Sequence, residues 1–450
     1  MMKSANLGKS DIGLAFRAAL QKGMIRLEDT AVIFYDLDFL HQRLQHLCEC
    51  FPSGTLHGMA IKANPLAKIL SSLVNISPSI GVEAASVGEV YLALNAGFVP
   101  AKIVYDSPVK TKAEIEFAMK TGIHLNIDNL DELERVGKLD PAASNSTIGL
   151  RINPQVGVGS IAESSVAGNY SKFGVPIKYK RPEIENAFLS YPWLTGIHLH
   201  VGSQGCPLSL LVEGIGVLYD LVCDLNPKRL AAGFAPISVF DIGGGLPVSY
   251  HSETPAPSME DYVAMIRQRA PGLLGHSSIT RPLVHASTRP PVHDTPTPFR
   301  LITEFGRWVF TNPGWTVSRV EYVKHDPDVN TAMLHVGADL LVRECLNPSD
   351  WKHEFTAFDK EGRQKEGFDL LPWNLAGPLC FSGDIIAKGV KLPKLEEGDY
   401  IVIHDTGSYT FSMWSRYNSR QTPRIIGYRD TEFEILKERE SLEELARFWK

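Results

Sequence analysis

Six turn segments hold side chains able to do chemistry, and each adjoins an apolar run or a cluster of small residues. In MAIKANP, Lys62 stands after the run and before a proline-containing turn. Partial removal from water would lower its pKa, so its free amine could form a Schiff base with an aldehyde; a loop lysine reaching into solvent fits the segment as well. His200 closes HLHVGSQ, either as a structural histidine or as one lying flat beneath an aromatic ring. Gly243, Gly244 and Gly245 in DIGGG let backbone amides approach an anion, or simply make a tight turn. In EFGR, Glu304 can pair with a protonated ring nitrogen and Arg307 can grip a phosphate or carboxylate, unless the two pair with each other. Cys380 in GPLCFSGD is either a buried small hydrophobe or a thiol acid at a site rim. Tyr409 in TGSYTF can donate its phenol to phosphate.

The elements that must position these residues are legible in the periodicity. Apolar runs bounded by turn residues predict strands at 56–63, 80–86, 101–107, 124–129, 147–154, 196–202, 238–245 and 300–306. Helix-period stretches lie between several of them, at 67–76, 87–97, 112–122 and 209–225. Buried strands alternating with amphipathic helices mean βαβ units and a parallel sheet, and this count and length predict a (β/α)8 TIM-like barrel over 37–307. An open doubly wound sheet is the rival arrangement. In the barrel, Lys62, His200, the three glycines, Glu304 and Arg307 fall at the carboxyl ends of strands, where such barrels work. Beyond Arg307 the segments 315–325, 331–337, 399–405 and 423–430 follow without long helices, which predicts a C-terminal antiparallel β domain over 308–450. The strand predicted at 29–36 joins that sheet, so residues 1–36 belong with it. The Ser-, Thr-, Pro- and His-rich stretch 275–298 reads as a surface insertion, and its irregularly spaced histidines as loop residues rather than metal ligands.

Composition narrows the function classes. Of 450 residues, 44% are hydrophobic and 21% charged, enough for a large core and too ordered a mix for global disorder. The formal charge of -6 points to neither nucleic acid nor an anionic membrane as partner. Six cysteines without a C-x-x-C pair argue against a disulfide scaffold and a structural zinc, and no metal is expected. With no apolar signal-type or membrane-length run, a cytoplasmic protein of a reducing compartment is the expectation.

Taken together, an aldehyde-reactive lysine, a carboxylate for a ring nitrogen, phosphate-binding glycines and arginine, and a thiol acid describe a pyridoxal 5'-phosphate site. The sequence also resembles the fold-type III, alanine-racemase-like decarboxylases, most closely the diaminopimelate decarboxylase branch. The resemblance runs in order from about residue 30 to 430, through MAIKANP, GVEAASVGEV, NYSKFGV, GIHLHVGSQ, FDIGGGLP, EFGR, GPLCFSGD and GSYTFSMWSRYNSR. It implies that Lys62 forms the internal aldimine, that His200 stacks on the ring, and that Glu304 keeps the ring nitrogen protonated, which favours decarboxylation over racemisation. It places Ser203, Gly245, Gly306, Arg307 and Tyr409 around the phosphate, with Gly243 and Gly244 beside them. It implies that Cys380 reprotonates the substrate carbon from a partner subunit, in a head-to-tail homodimer with shared sites.

The substrate residues depart from that pattern. Family members read Cys-Glu-Ser-Gly-Asp where this chain has CFSGD, so Phe381 replaces the glutamate for the distal amino group. A ring offers an ammonium only a cation–π contact. Asn347 stands where tyrosine is usual in RECLN, Phe305 where proline is usual, and Glu83 where ornithine decarboxylases tend to have aspartate. The carboxylate-gripping Arg343 is retained, Arg307 and Tyr409 border the same space, and Asp384 is available for a cationic tail. The expectation is a decarboxylase of an amino acid with a distal carboxylate or polar acceptor, in specialised biosynthesis such as siderophore or polyamine metabolism. The alternatives are a true diaminopimelate decarboxylase making L-lysine, a non-catalytic regulatory homologue, and a racemase.

Overall fold

Eight parallel strands close into a barrel: Leu56–Ala60, Ile80–Ala84, Ile103–Asp106, His124–Ile127, Ile148–Asn153, Leu194–His198, Val239–Asp241 and Arg300–Thr303. The computed structural model describes residues 11–251, 255–275, 299–367 and 369–450. Pairing of Leu125 with Ile148 and of Ile302 with Leu56 completes the ring, and the short Val175–Pro176 hangs outside it on Ile148–Asn153. All eight strands expected from the sequence are present, trimmed at their carboxyl ends where the functional turns begin. Strands such as Ile80–Ala84 and Ile148–Asn153 are buried at every position, as strands covered on both faces must be.

The helices between them start and stop on local signals. Thr111 and Glu114 form a capping box for Lys112–Thr121, and Gly122 ends it in the left-handed conformation at φ +82°. The helix expected to end at 225 instead runs Leu208–Ala231 through Pro227. Its buried Leu218, Leu221, Val222 and Leu225 carry the packing that outweighs one lost backbone bond. Helices Leu37–Cys50, Leu130–Gly137, Ile177–Ser190 and Met259–Arg269 complete the outer layer.

The remaining strands make two sheets. One has the order Phe355–Phe358, Tyr400–Ile403, Gly314–Arg319, Ala31–Asp36, Arg424–Arg429, Glu432–Lys437. The early strand therefore joins this sheet as expected, at its centre. Its side chains alternate: Val32 and Phe34 enter a small core with Phe16, Trp315 and Tyr428, while Ile33 and Tyr35 enter the main core. Phe34 stacks on Trp315 at 4.1 Å.

The sheet is not wholly antiparallel. Ala31–Asp36 runs antiparallel to Gly314–Arg319 but parallel to Arg424–Arg429, and Asn330–Met333 runs parallel to Leu371–Ala376 in the second sheet. A central strand flanked by two oppositely directed neighbours cannot oppose both. The stretch proposed as an insertion lies, past Gly275, outside the described residues. Among the described residues, no helix is long and apolar enough to cross a membrane.

Candidate active site

A cavity of about 350 Å³ opens at the carboxyl ends of the barrel strands. It gathers Lys62, His200, Ser203, Gly245, Glu304, Gly306 and Arg307 from the barrel turns and Tyr409 from the β part. Lys172 and Phe173 of NYSKFGV line it too, as do Asp106 and Arg151.

Lys62 sits in the single turn Ile61–Ala63 directly after the first barrel strand, and its Nζ lies 2.5 Å from Glu83 Oε2 at the end of the second. The expected lowering of its pKa does not hold. Burial acts downward, but the charges of Glu83, Tyr409 and Glu304 outweigh it and hold the ammonium above its ordinary range. Burial pushes the carboxyl of Glu83 above its ordinary range, with the Lys62 charge opposing.

Glu304 follows the last barrel strand. Its Oε2 is 3.4 Å from His198 Nε2, and its buried Oε1 has no hydrogen-bond partner. Burial alone would raise this carboxyl, yet His198 holds it below the ordinary range. Glu304 and Arg307 therefore do not spend themselves on each other. The Nε of Arg307 donates to Ser203 Oγ at 3.0 Å and its Nη1 to Tyr250 Oη at 2.6 Å, with its guanidinium 4.6 Å from the Tyr409 ring. His200 accepts the Gly244 N–H at Nδ1, 3.2 Å away, and burial first, then Arg151, push it down to about 3. It presents an uncharged ring to the cavity. Gly245 has φ +104°, and a Cβ there would lie 2.0 Å from the Gly202 carbonyl oxygen. At Gly306 a Cβ would meet those of Ala63 and Ala60 at 2.8 and 2.9 Å. Only glycine leaves this wall open.

Of the residues named from the sequence for the thiol and the substrate, five lie apart from the cavity lining. Cys380 and Phe381 are exposed on one loop of the β part. The Cys380 N–H donates to Asn418 Oδ1 at 2.7 Å, and the Phe381 ring meets Tyr417 edge-on at 6.3 Å. Asp384 is not free for a cationic tail. Its Oδ1 accepts the Ala338 N–H and its Oδ2 the Leu379 N–H, both at 2.6 Å, so it folds the loop that carries Cys380. Asn347 is likewise engaged locally, donating to Asp350 at 2.8 Å and accepting from Ser349 at 2.9 Å. Arg343 stacks over Trp351 at 4.2 Å, while Arg307 lies 5.0 Å from the same indole. The buried Nε and Nη2 of Arg343 have no hydrogen-bond partner; the nearest carboxylate, Glu344, is 3.8 Å away.

Sequence reasoning missed Asp106 and Arg151, which line the cavity with Arg151 Nη1 2.7 Å from Asp106 Oδ2, and the buried His198 3.7 Å from Asp106. A signal existed for one of them. His198 and His200 are two residues apart, and alternate positions along a strand share a face.

Comparison with known proteins agrees with this geometry. Residues 37–279 match the pyridoxal-binding domain of the pyridoxal-dependent decarboxylases. The chain is 30% identical to diaminopimelate decarboxylase of Pseudomonas fluorescens over 86% of this chain and 84% of that one. It is 29% identical to that of Methanothermobacter thermautotrophicus, over 82% and 79% respectively. The diaminopimelate decarboxylase of Helicobacter pylori complexed with L-lysine superposes with TM-score 0.78 at 28% identity, covering 95% of this chain and 99% of that one. Pyridoxal phosphate suits the residues found here. The unpartnered Glu304 Oε1 can take a ring N–H, the uncharged His200 a ring face, and the glycine wall with Arg307 a phosphate.

Proposed function

Because the chain belongs to the pyridoxal-dependent decarboxylases and is an amino-acid decarboxylase that uses pyridoxal phosphate, we propose the following division of labour and substrate class. Lys62 Nζ is the amine that holds the cofactor aldehyde and yields it to the substrate amine. Glu304 Oε1 accepts the ring N–H, His200 covers one ring face, and Ser203, Gly245, Gly306, Arg307 and Tyr409 hold the phosphate, with Gly243 and Gly244 shaping the turn. The bound cofactor supplies the electron sink that takes the bonding pair when CO₂ leaves. Glu304, kept ionised by its histidine neighbour, stabilises positive charge at the ring nitrogen and so favours that loss over simple proton exchange. Cys380 delivers a proton to the substrate Cα. Its exposure and its distance from the cavity lining support delivery into the site of a second copy, in a homodimer with shared sites.

The substrate carries a carboxylate or another polar acceptor at its far end and lacks the distal ammonium of meso-diaminopimelate. The carrying observation is that Phe381 stands next to Cys380 on one exposed loop, so whichever site receives the thiol also receives an aromatic ring in place of a carboxylate. Arg343 supports the same reading, since its buried Nε and Nη2 make no hydrogen bond and its carboxylate neighbour Glu344 stays 3.8 Å away. Such a substrate belongs to specialised biosynthesis rather than to lysine formation.

The test is CO₂ release by the purified protein loaded with pyridoxal phosphate. The panel spans meso-diaminopimelate, L- and D-lysine, L- and D-ornithine, arginine, glutamate and carboxylated diamines. Release from glutamate, the panel member with a distal carboxylate and no distal ammonium, and not from meso-diaminopimelate is expected. Efficient release from meso-diaminopimelate would overturn the altered specificity and leave lysine formation as the function. Silence throughout, with no cofactor absorbance band, would favour a regulatory homologue.

A further inference from the structure

We propose that His198 is a positioning residue for decarboxylation: held between Asp106 and Glu304, it fixes the Glu304 carboxylate so that its second oxygen stays free for the ring nitrogen of the cofactor. The inference rests on the reading of Glu304 given above.

The geometry is that of a closed clamp. His198 ends the sixth barrel strand and is wholly buried, with Nε2 3.4 Å from Glu304 Oε2 and Nδ1 3.7 Å from Asp106 Oδ1. Asp106 is fixed from its other side by Arg151 at 2.7 Å. The chain Arg151–Asp106–His198–Glu304 thus alternates cation and anion across the barrel floor, contributed by four different strands or strand ends. Other charged groups face it. Asp241, from the seventh strand, faces both His198 and Glu304; burial and then the Glu304 charge push its carboxyl well above the ordinary range, and it is held by Asn126 at 3.2 Å and by the Gly243 N–H at 2.9 Å. Lys62 faces Asp106 and Glu304, Lys110 faces Asp106, and the imidazoles of His124 and His200 both lie near His198.

A neutral imidazole would leave Asp106 to Arg151 alone and take from the buried Glu304 carboxylate its ion pair, which is costly in a medium of low dielectric. The cationic form pairs with both. Burial alone would lower the His198 pKa, but Asp106, Glu304 and Asp241 raise it to about 9. Glu304 Oε2 faces His198 at ion-pair distance, with neither His198 nitrogen making a hydrogen bond, and the buried Oε1, also without a hydrogen-bond partner, is the oxygen left for a ligand. Without the clamp the carboxylate would be free to turn or to take up a proton, and its hold on the ring nitrogen would weaken.

The experiment is ¹⁵N NMR of protein reconstituted with pyridoxal phosphate labelled at the ring nitrogen, titrated with pH. The set comprises the wild type, His198→Gln, Glu304→Gln and the double variant. In the wild type the ring nitrogen should stay protonated well above neutral pH. His198→Gln should lower its apparent pKa by about one unit, a tenfold change in the proton equilibrium, with cofactor stoichiometry retained. Glu304→Gln should lower it further, and the double variant should match Glu304→Gln alone, since His198 acts through that residue. A wild-type titration in His198→Gln, or additive effects in the double variant, would overturn the proposal. An unchanged titration in Glu304→Gln would instead remove the reading of Glu304, and this inference with it. Should His198→Gln fail to fold, Asp106→Asn opens the clamp from its other end. The same downward shift is then expected, and no shift would overturn the proposal.

Discussion

Lys62 Nζ and Glu83 Oε2 meet at 2.5 Å, with the Glu83 side chain wholly buried and that of Lys62 42% exposed to the cavity. The lysine amine is thus tethered to the second barrel strand before any ligand arrives. Burial of a lone lysine would have favoured the neutral nucleophile; the carboxylate reverses the sign.

Glu83→Gln removes the charge while keeping the shape. The Lys62 amine should then titrate lower, since burial would act on it with less opposition. At pH 7 the apoprotein should take up pyridoxal phosphate about tenfold faster for each unit of that shift, followed by the growth of its absorbance band. Equal or slower uptake by the variant at every pH would show that Glu83 does not restrain the amine.

Cys380→Ala should retain the cofactor and lose about 10²-fold or more in turnover, the usual contribution of a positioned general acid. Mixing it with Lys62→Ala gives the decisive result. If one copy supplies Cys380 to the cavity of the other, mixed dimers of the two inactive variants each assemble one intact site. Activity should recover to roughly a quarter of wild type at equal mixing. No recovery in a mixture shown by native mass spectrometry to contain mixed dimers would place both groups in one copy.

Stability of the apoprotein should peak near neutral pH. Burial pushes His57 and His124 down to about 4 and His200 to about 3, so the folded chain resists protons that the unfolded chain accepts. Stability is therefore lost as pH falls from about 6.5 towards 4, each of these histidines costing up to about 1.4 kcal/mol per pH unit. His198 has the opposite sign. Its pKa is raised to about 9, so its contribution is complete below about 6.5 and is lost as pH rises through 9. Thermal unfolding at pH 5, 7 and 9 checks both limbs. A Tm higher at pH 5 than at pH 7 would contradict neutral, buried histidines.

By itself the sequence determined the barrel, its eight strands, the early strand of the β sheet, and part of the cavity lining, Lys62, His200, Glu304, Arg307 and Tyr409 among it. These were legible because strand burial leaves an apolar run, and because each functional side chain sits in the turn that ends one. Three things were decided only by tertiary structure. The direction of the Lys62 pKa shift depended on Glu83, which lies in the neighbouring strand, twenty-one positions along the chain. The duty of Asp384 depended on two backbone amides, one of them at Ala338, far from it in sequence. The role of His198 depended on carboxylates from two other strands meeting its two nitrogens. Periodicity reports which face a residue occupies, whereas charge and hydrogen bonding depend on what the fold sets opposite it.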